Sequence, residues 1–390
     1  MSRRQRKRGG WTGAALSGVL WIATAALAQP RVPTSDGEVI ERVPESLSMR
    51  TLAGMRSTDA RSSPDITARV VRAQLTLAAR SADPRFLGYA QASLSTWWSD
   101  AAPPVAIALV RAELKQKRHE FAAALIDFDY VLARAPRNVE ALLSSATVHQ
   151  VLGEYDTAAL RCQRLRAAAE VIGTVCAQSV RSMRGEAEQA YASLNGLLKT
   201  TAWMPRALSA WTHATAADVA QRLGRIEEAA AHFKASLENE DNPYVVNAYA
   251  DLLIDAGRAR EAEELLAKAG NNDGVLLRLA VTSRALRKNA DSHASALLER
   301  FDSYDRRGDL SHLRDQSRYA LQIKGDARSA LALALRNWRQ QREPADARLV
   351  LESAATLNDP LAARPVLDAL ARTHLQDREL ERLARELSGS

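Results

Sequence analysis

The side chains able to do chemistry are few and scattered. The seven histidines are His119, His149, His213, His232, His293, His312 and His374. No two of them stand in His-x-x-x-His spacing beside an acid, so the pattern of a hydrolytic zinc site is absent. A Gly-x-Ser-x-Gly elbow and a glycine-rich phosphate loop are absent as well. Carboxylates are abundant, as in Glu227-Glu228 and Glu261-Ala262-Glu263-Glu264, but they fit solvated helix starts and faces. These residues predict a protein that is not an enzyme and holds neither metal nor cofactor.

Cys162 and Cys176 are the only two thiols. Two cysteines exclude a disulfide-dense scaffold and a four-thiolate zinc module, and no Cys-x-x-Cys redox pair is present. The surrounding pattern puts them on neighbouring helices. In an oxidising compartment two thiols within reach join as a disulfide, which is the favoured reading. The other reading is two separate buried thiols acting as small hydrophobes.

The elements that must position these residues are helices. Apolar residues make up 46% of the 390 but aromatics only 5%, a balance that suits close-packed helices better than a β-sandwich. Self-comparison shows a repeat in the alanines Ala90, Ala124, Ala158, Ala190, Ala229, Ala262, Ala294, Ala330 and Ala363, spaced 32 to 39 residues apart. Four residues after each stands Leu94, Phe128, Cys162, Leu194, Phe233, Leu266, Leu298, Ala334 or Leu367. Glycine turns precede several of them, at Gly153, Gly185, Gly224, Gly257 and Gly325. Ala78, Ala112, Ala146, Ala217 and Ala250 repeat a small residue in the preceding helix, where the fourth unit has Gln178. Small residues let paired helices cross closely, and the larger residue one turn on plugs into the next unit. A single hairpin cannot bury its apolar face, so such units stack.

This pattern resembles the tetratricopeptide repeat (TPR) family: small residue, glycine turn, Ala-x-x-x-Phe, then Pro, most fully in Ala124-x-x-x-Phe128 with Pro136. The resemblance runs over about residues 65–370 and is sharpest over 105–269. It implies an all-α, right-handed α-solenoid of about nine helical hairpins, with Arg378 to Leu387 as a C-terminal capping helix. In the last three units the small first-helix position falls on Thr282, Arg318 and Leu351, which leaves their register open. Pro365, just after Ala363, counts against the ninth unit. Trp97-Trp98 and Trp338 are expected to pack rather than to form a ligand platform.

The formal charge of +7 invites a nucleic-acid reading. Five of the positive charges are Arg3, Arg4, Arg6, Lys7 and Arg8, ahead of an apolar stretch from Trp11 to Leu27 that ends Ala26-Leu27-Ala28. A basic head, a short apolar middle and a small-x-small end read as a signal peptide over 1–28, cleaved near Ala28. Arg3-Arg4 also resemble a twin-arginine signal, but Arg6 stands where such signals carry an apolar residue, favouring general secretion. The expected location is the periplasm or the outside of the cell. Without residues 1–28, Lys and Arg fall from 53 to 48 against 46 acids, so no global attraction to nucleic acid remains and no later span crosses a membrane. Residues 29–63, with Pro30, Pro33 and Pro44, are expected to form a flexible leader, and 64–390 the solenoid.

In the family the first helices line a concave groove that takes a peptide or partner protein. Some members clamp a C-terminal carboxylate there with Lys and Asn. The matching positions here carry Leu75 and Ala79, Leu109 and Glu113, Leu143 and Thr147, Val175 and Ser179, Ala214 and Asp218, and Asn247 and Asp251. Only Asn247 matches, so that clamp is not expected. Trp211, Asp218, Gln221, Tyr244, Asn247 and Asp251 are instead the candidate partner-binding surface, aromatic anchors beside polar groups. The other reading of these residues is a solvated helix face. The expected function is a non-catalytic scaffold or adaptor for envelope assembly, secretion or a membrane complex. The alternatives are a structural subunit of a larger envelope assembly and an enzyme with a site between units. A similarity to exported bacterial TPR proteins adds a third alternative, an accessory to a metal-transport membrane system.

Overall fold

The computed structural model describes Ser35 and residues 63–81, 85–200 and 204–389. The expected signal peptide, residues 1–28, and the expected leader, residues 29–63 apart from Ser35 and Ser63, lie outside the described residues. Among those described there are nineteen α-helices and no strand. They form nine consecutive hairpins and one last helix. The first three are α1 (Pro64–Ser81) with α2 (Arg85–Ser93), α3 (Val105–Lys117) with α4 (Phe121–Arg134), and α5 (Val139–Val151) with α6 (Tyr155–Ala168). Next come α7 (Glu170–Ser182) with α8 (Ala187–Thr200), α9 (Arg206–Arg222) with α10 (Ile226–Asn239), and α11 (Pro243–Asp255) with α12 (Ala259–Leu266). The last three are α13 (Asp273–Ala285) with α14 (Asp291–Arg307), α15 (Leu313–Tyr319) with α16 (Ala327–Trp338), and α17 (Pro344–Leu357) with α18 (Pro360–Thr373). Helix α19 (Arg378–Ser388) closes the stack, burying Leu380, Leu383 and Leu387 as a cap does.

The alanine repeat is the packing seam. Ala90, Ala124, Ala158, Ala190, Ala229, Ala262, Ala330 and Ala363 are wholly buried, as are Leu94, Phe128, Cys162, Leu194, Phe233 and Leu266. Each large plug of this kind is worth about 1.5–3 kcal/mol of burial. The two helices flanking Cys162 and Cys176 come closer still. A Cβ at Gly173 of α7 would fall 2.2 Å from the Arg166 backbone of α6. Nearby, the two sulfurs sit at bonding distance, with Cα atoms 5.5 Å apart. In hairpins two to nine the turn ends the first helix in the left-handed region, with φ of 69–81° at Gly153, Gly185, Gly224, Gly257 and Gly325. His119, Arg287 and Asn358 hold the same conformation at φ 51–59°.

Two late units depart from the expected register. In the seventh, Leu298 is 38% exposed and Ala294 only partly buried, while Leu297 and Phe301 fill the core. The seam there runs through Leu297 and Phe301. In the eighth, the small residue at the crossing is Ser317, whose hydroxyl donates to the Ala330 carbonyl at 2.8 Å, and Arg318 beside it turns to an ion pair. The cause is the π-helical turn Ala320–Lys324, which lengthens the first helix by a residue. Thr282 and Leu351, which stand at that position in the seventh and ninth units, are buried. Pro365 does not break the ninth unit: it lies exposed within α18, and the carbonyl its missing N–H would have engaged belongs to solvent-facing Leu361.

Trp97 and Trp98 are half-buried against the first core, and their loop is tied down from below. Arg111 donates to the carbonyls of Trp98 at 3.1 Å and Asp100 at 2.9 Å. Its guanidinium also grips Asp127 through two bonds, at 2.9 and 2.6 Å, both partners being buried. Trp338 is buried in the last core cluster.

The stack also folds back on itself. The turns of units two to six meet the last two units and the cap. Gln341 reaches His119 at 3.2 Å, the Arg342 amide donates to Val151 O at 2.7 Å, and the Ala187 amide donates to Gln376 Oε1 at 2.7 Å. Arg348 pairs with Asp255 at 2.9 Å. At Gly185 (φ +81°) a side chain would press on the His374 carbonyl at 3.0 Å, so this turn needs glycine for both conformation and space.

Candidate partner-binding groove

First helices of successive units present one face each to a shared concavity, and residues one turn apart on that face line it. A cavity of about 330 Å³ opens there. Helix α5 supplies Leu143, Thr147 and Gln150, helix α7 supplies Ser179 and Ser182, and α9 supplies Trp211, Ala214, Asp218 and Arg222. Tyr244 enters from the first turn of α11, where the Asn242 side chain caps the helix by accepting from the Tyr244 amide at 3.0 Å. Glu343 reaches the same cavity from the far end of the chain.

Of the six candidate residues, the structure brings three together here: Trp211, Asp218 and Tyr244. Trp211 is half-buried against two core clusters and shows the rest of its surface to the cavity. The Tyr244 ring is 59% exposed, and its hydroxyl donates to Asp218 Oδ2 at 3.0 Å. Burial pushes the Asp218 carboxyl up to about 6, against the opposing pull of the Tyr244 hydroxyl and Arg222. Tyr244 is held well above the usual phenol range, chiefly by the Asp218 charge.

The other three do not line the cavity. Gln221 is half-buried on the far turn of α9. Asp251 is held by Arg278 at 2.5 Å and Arg318 at 2.7 Å, a three-unit ion network. Burial works to raise its carboxyl, but the two arginines keep it below the usual carboxylate range. Asn247 accepts from Arg278 on its main-chain carbonyl at 2.9 Å, and its amide lies over Gly274, where a Cβ would be 2.4 Å away. These two are joints between units.

Arg222 went unnoticed in the sequence. It is 8% exposed and donates to the Ser182 carbonyl at 3.0 Å and the Ser182 hydroxyl at 2.8 Å, while burial lowers its pKa. Its place one turn after Asp218 was a usable signal. Nothing local could have announced Glu343. Elsewhere, His213 and His232 face each other at 2.9 Å, with the Tyr191 hydroxyl 3.3 Å from His232. Among the described residues no three His, Cys, Asp or Glu side chains converge as a metal site, and no helix is long and apolar enough to cross a membrane.

No protein-family model matches the chain, and no curated protein does. Solved structures with similar helical arrays include the Cut9–Hcn1 hetero-tetramer of the APC/C, at TM-score 0.49 and 13% identity, covering 83% of this chain and 63% of that one. The chain thus spans under two-thirds of that relative's length. A tetratricopeptide repeat protein from Parabacteroides merdae matches at TM-score 0.39 and 13% identity, over 60% of this chain and 93% of that one. Human IFIT1, solved as a dimer with PPP-AAAA, matches at 0.49 and 14%, over 80% and 73%.

Proposed function

We propose that this chain is a non-catalytic protein-interaction scaffold that takes an extended segment of a partner protein in its concave groove. The observation that carries this is the cavity at Trp211, where an aromatic wall, the Asp218–Tyr244 pair and the buried Arg222 share about 330 Å³. An apolar side chain of the partner fits against Trp211, while its backbone or polar groups answer Asp218 and Arg222. We place the protein in the periplasm or outside the cell, on the basic head and small-x-small end of residues 1–28, with Cys162 and Cys176 oxidised as a staple between α6 and α7.

The test is selection of a displayed peptide library on the purified chain, repeated with Trp211→Ala and Asp218→Lys. Enriched peptides should lose at least about tenfold in affinity on either variant, the cost of removing one hot-spot anchor. Enrichment that ignores both substitutions, or no enrichment, would sink the reading. Location is tested separately, by cell fractionation and N-terminal sequencing of the recovered protein.

A further inference from the structure

The mouth of the cavity is not open to solvent on every side. Segment 340–343, between α16 and α17, runs along one edge of it, with Glu343 in the lining and Arg342 on the lining residue Val151. The Arg342 amide donates to the Val151 carbonyl at 2.7 Å, and its guanidinium reaches Leu152 O at 3.4 Å. The Arg342 stem runs over Gly153, where even a Cβ would sit 3.3 Å from its Cδ. One residue on, Glu343 enters the lining beside Asp218 and Tyr244. Gln341 meets His119 at the turn of unit two.

These contacts are those of a bound peptide. A main-chain amide meets an end-of-helix carbonyl that has no partner within its own helix. A long side chain lies along a surface bared by glycine, and Glu343, its carboxylate paired with Arg314, joins the lining of the polar pocket. The receptor side belongs to units two to five and the ligand side to the segment that joins units eight and nine. Outside the segment the closure is held by Arg348 on Asp255 and by Gln376 on the Ala187 amide, and neither pair touches the cavity.

We propose that segment 340–343 covers the edge of the groove in cis, so that a partner binds by displacing it with an extended basic–acidic stretch of its own. Arg342-Glu343 is the template: a basic residue whose amide meets Val151 and whose stem covers Gly153, followed by an acid at the pocket. The groove is then self-covered, and its apparent affinity is reduced by the fraction of time it stays closed. This inference rests on the groove being the binding surface.

The experiment uses the full chain and a fluorescein-labelled peptide of residues 338–345. Wild type is compared with Arg342→Ala/Arg348→Ala, which removes one cis contact and one distant clasp. Small-angle scattering should show the double variant more extended than wild type. The peptide should bind it at least about tenfold more tightly, as expected when a closed population is released. Arg342→Lys, which keeps the amide and the stem, should behave as wild type, and circular dichroism confirms that all three fold alike. Unchanged scattering and unchanged peptide affinity would overturn the cis closure. Expansion without peptide binding to either protein would leave the closure standing and overturn the groove as a peptide seat.

Discussion

The Asp218 carboxylate accepts the Tyr244 hydroxyl at 3.0 Å across two repeat units, in a cavity that raises its pKa to about 6. A carboxyl whose folded pKa lies above its unfolded one costs stability when ionised. The cost is fully present above pH 6 and relieved as pH falls toward 4. Asp218→Asn keeps an acceptor for Tyr244 and removes the charge. It should stabilise the fold by about 1–2 kcal/mol at pH 7.5, and by little at pH 4. Urea unfolding at both pH values checks this; equal midpoints for variant and wild type at pH 7.5 would refute it.

His119 works in the opposite sense. Burial, aided by Arg314 and His312, lowers its pKa to about 4. The unfolded chain protonates it near 6.5, so its contribution is intact above that value and lost as pH falls through 6.5 toward 4. His119→Asn, which tolerates the left-handed backbone, should flatten the fall in stability over that range. Because Asp218 gains where His119 loses, wild type alone conceals both, and only the single variants separate them.

Arg111 and Asp127 form a buried pair with two bonds, and Arg111 also holds the Trp97-Trp98 loop. Removing Arg111 leaves the buried Asp127 with Lys115 as its remaining ion partner, at 2.7 Å. Arg111→Ala should cost about 2–3 kcal/mol in chemical denaturation, less than for a charge left wholly unpaired. Trp fluorescence should report the loosened loop, and a cost below about 1 kcal/mol, the range of an exposed pair, would contradict the geometry.

Cys162 and Cys176 are separated by 14 residues in sequence. Oxidised, they should contribute about 3 kcal/mol, the value for a loop of that size. Mass spectrometry after alkylation without reductant should find no modified cysteine. Two alkylated thiols in freshly isolated protein would show them free.

Gly173→Ala should be among the most damaging single-methyl changes, since its Cβ would overlap the Arg166 backbone rather than a movable side chain. A loss of about 3 kcal/mol or more is expected from such overpacking, read as a shift in the denaturation midpoint.

The sequence carried the seam because Ala124, Ala158 and Ala229 are conspicuous as small residues at one spacing, and their burial is complete. It misled at the seventh unit because Ala294 and Leu298 imitate the pattern one helical face away from Leu297 and Phe301. A π-helical turn leaves no mark in composition, so the shift to Ser317 was invisible. At the site, Asp218 and Tyr244 were found because a helical face repeats by known steps. Asp251 was found for the same reason, yet periodicity cannot tell that Arg278 and Arg318 have already claimed it. Glu343 arrives through the return of the chain, which no local pattern encodes.

That return changes how the molecule should come apart. A straight repeat array frays from its ends, each unit answering only to its neighbours. Here the Arg342 amide on Val151 and the Gln376 side chain on Ala187 join positions about 190 residues apart. Terminal units anchored this way lose their freedom to melt first. Damage near the C-terminus should therefore be felt as faster amide exchange at the turns around Val151 and Ala187, and the chain should unfold less like a zipper than like a clasped ring.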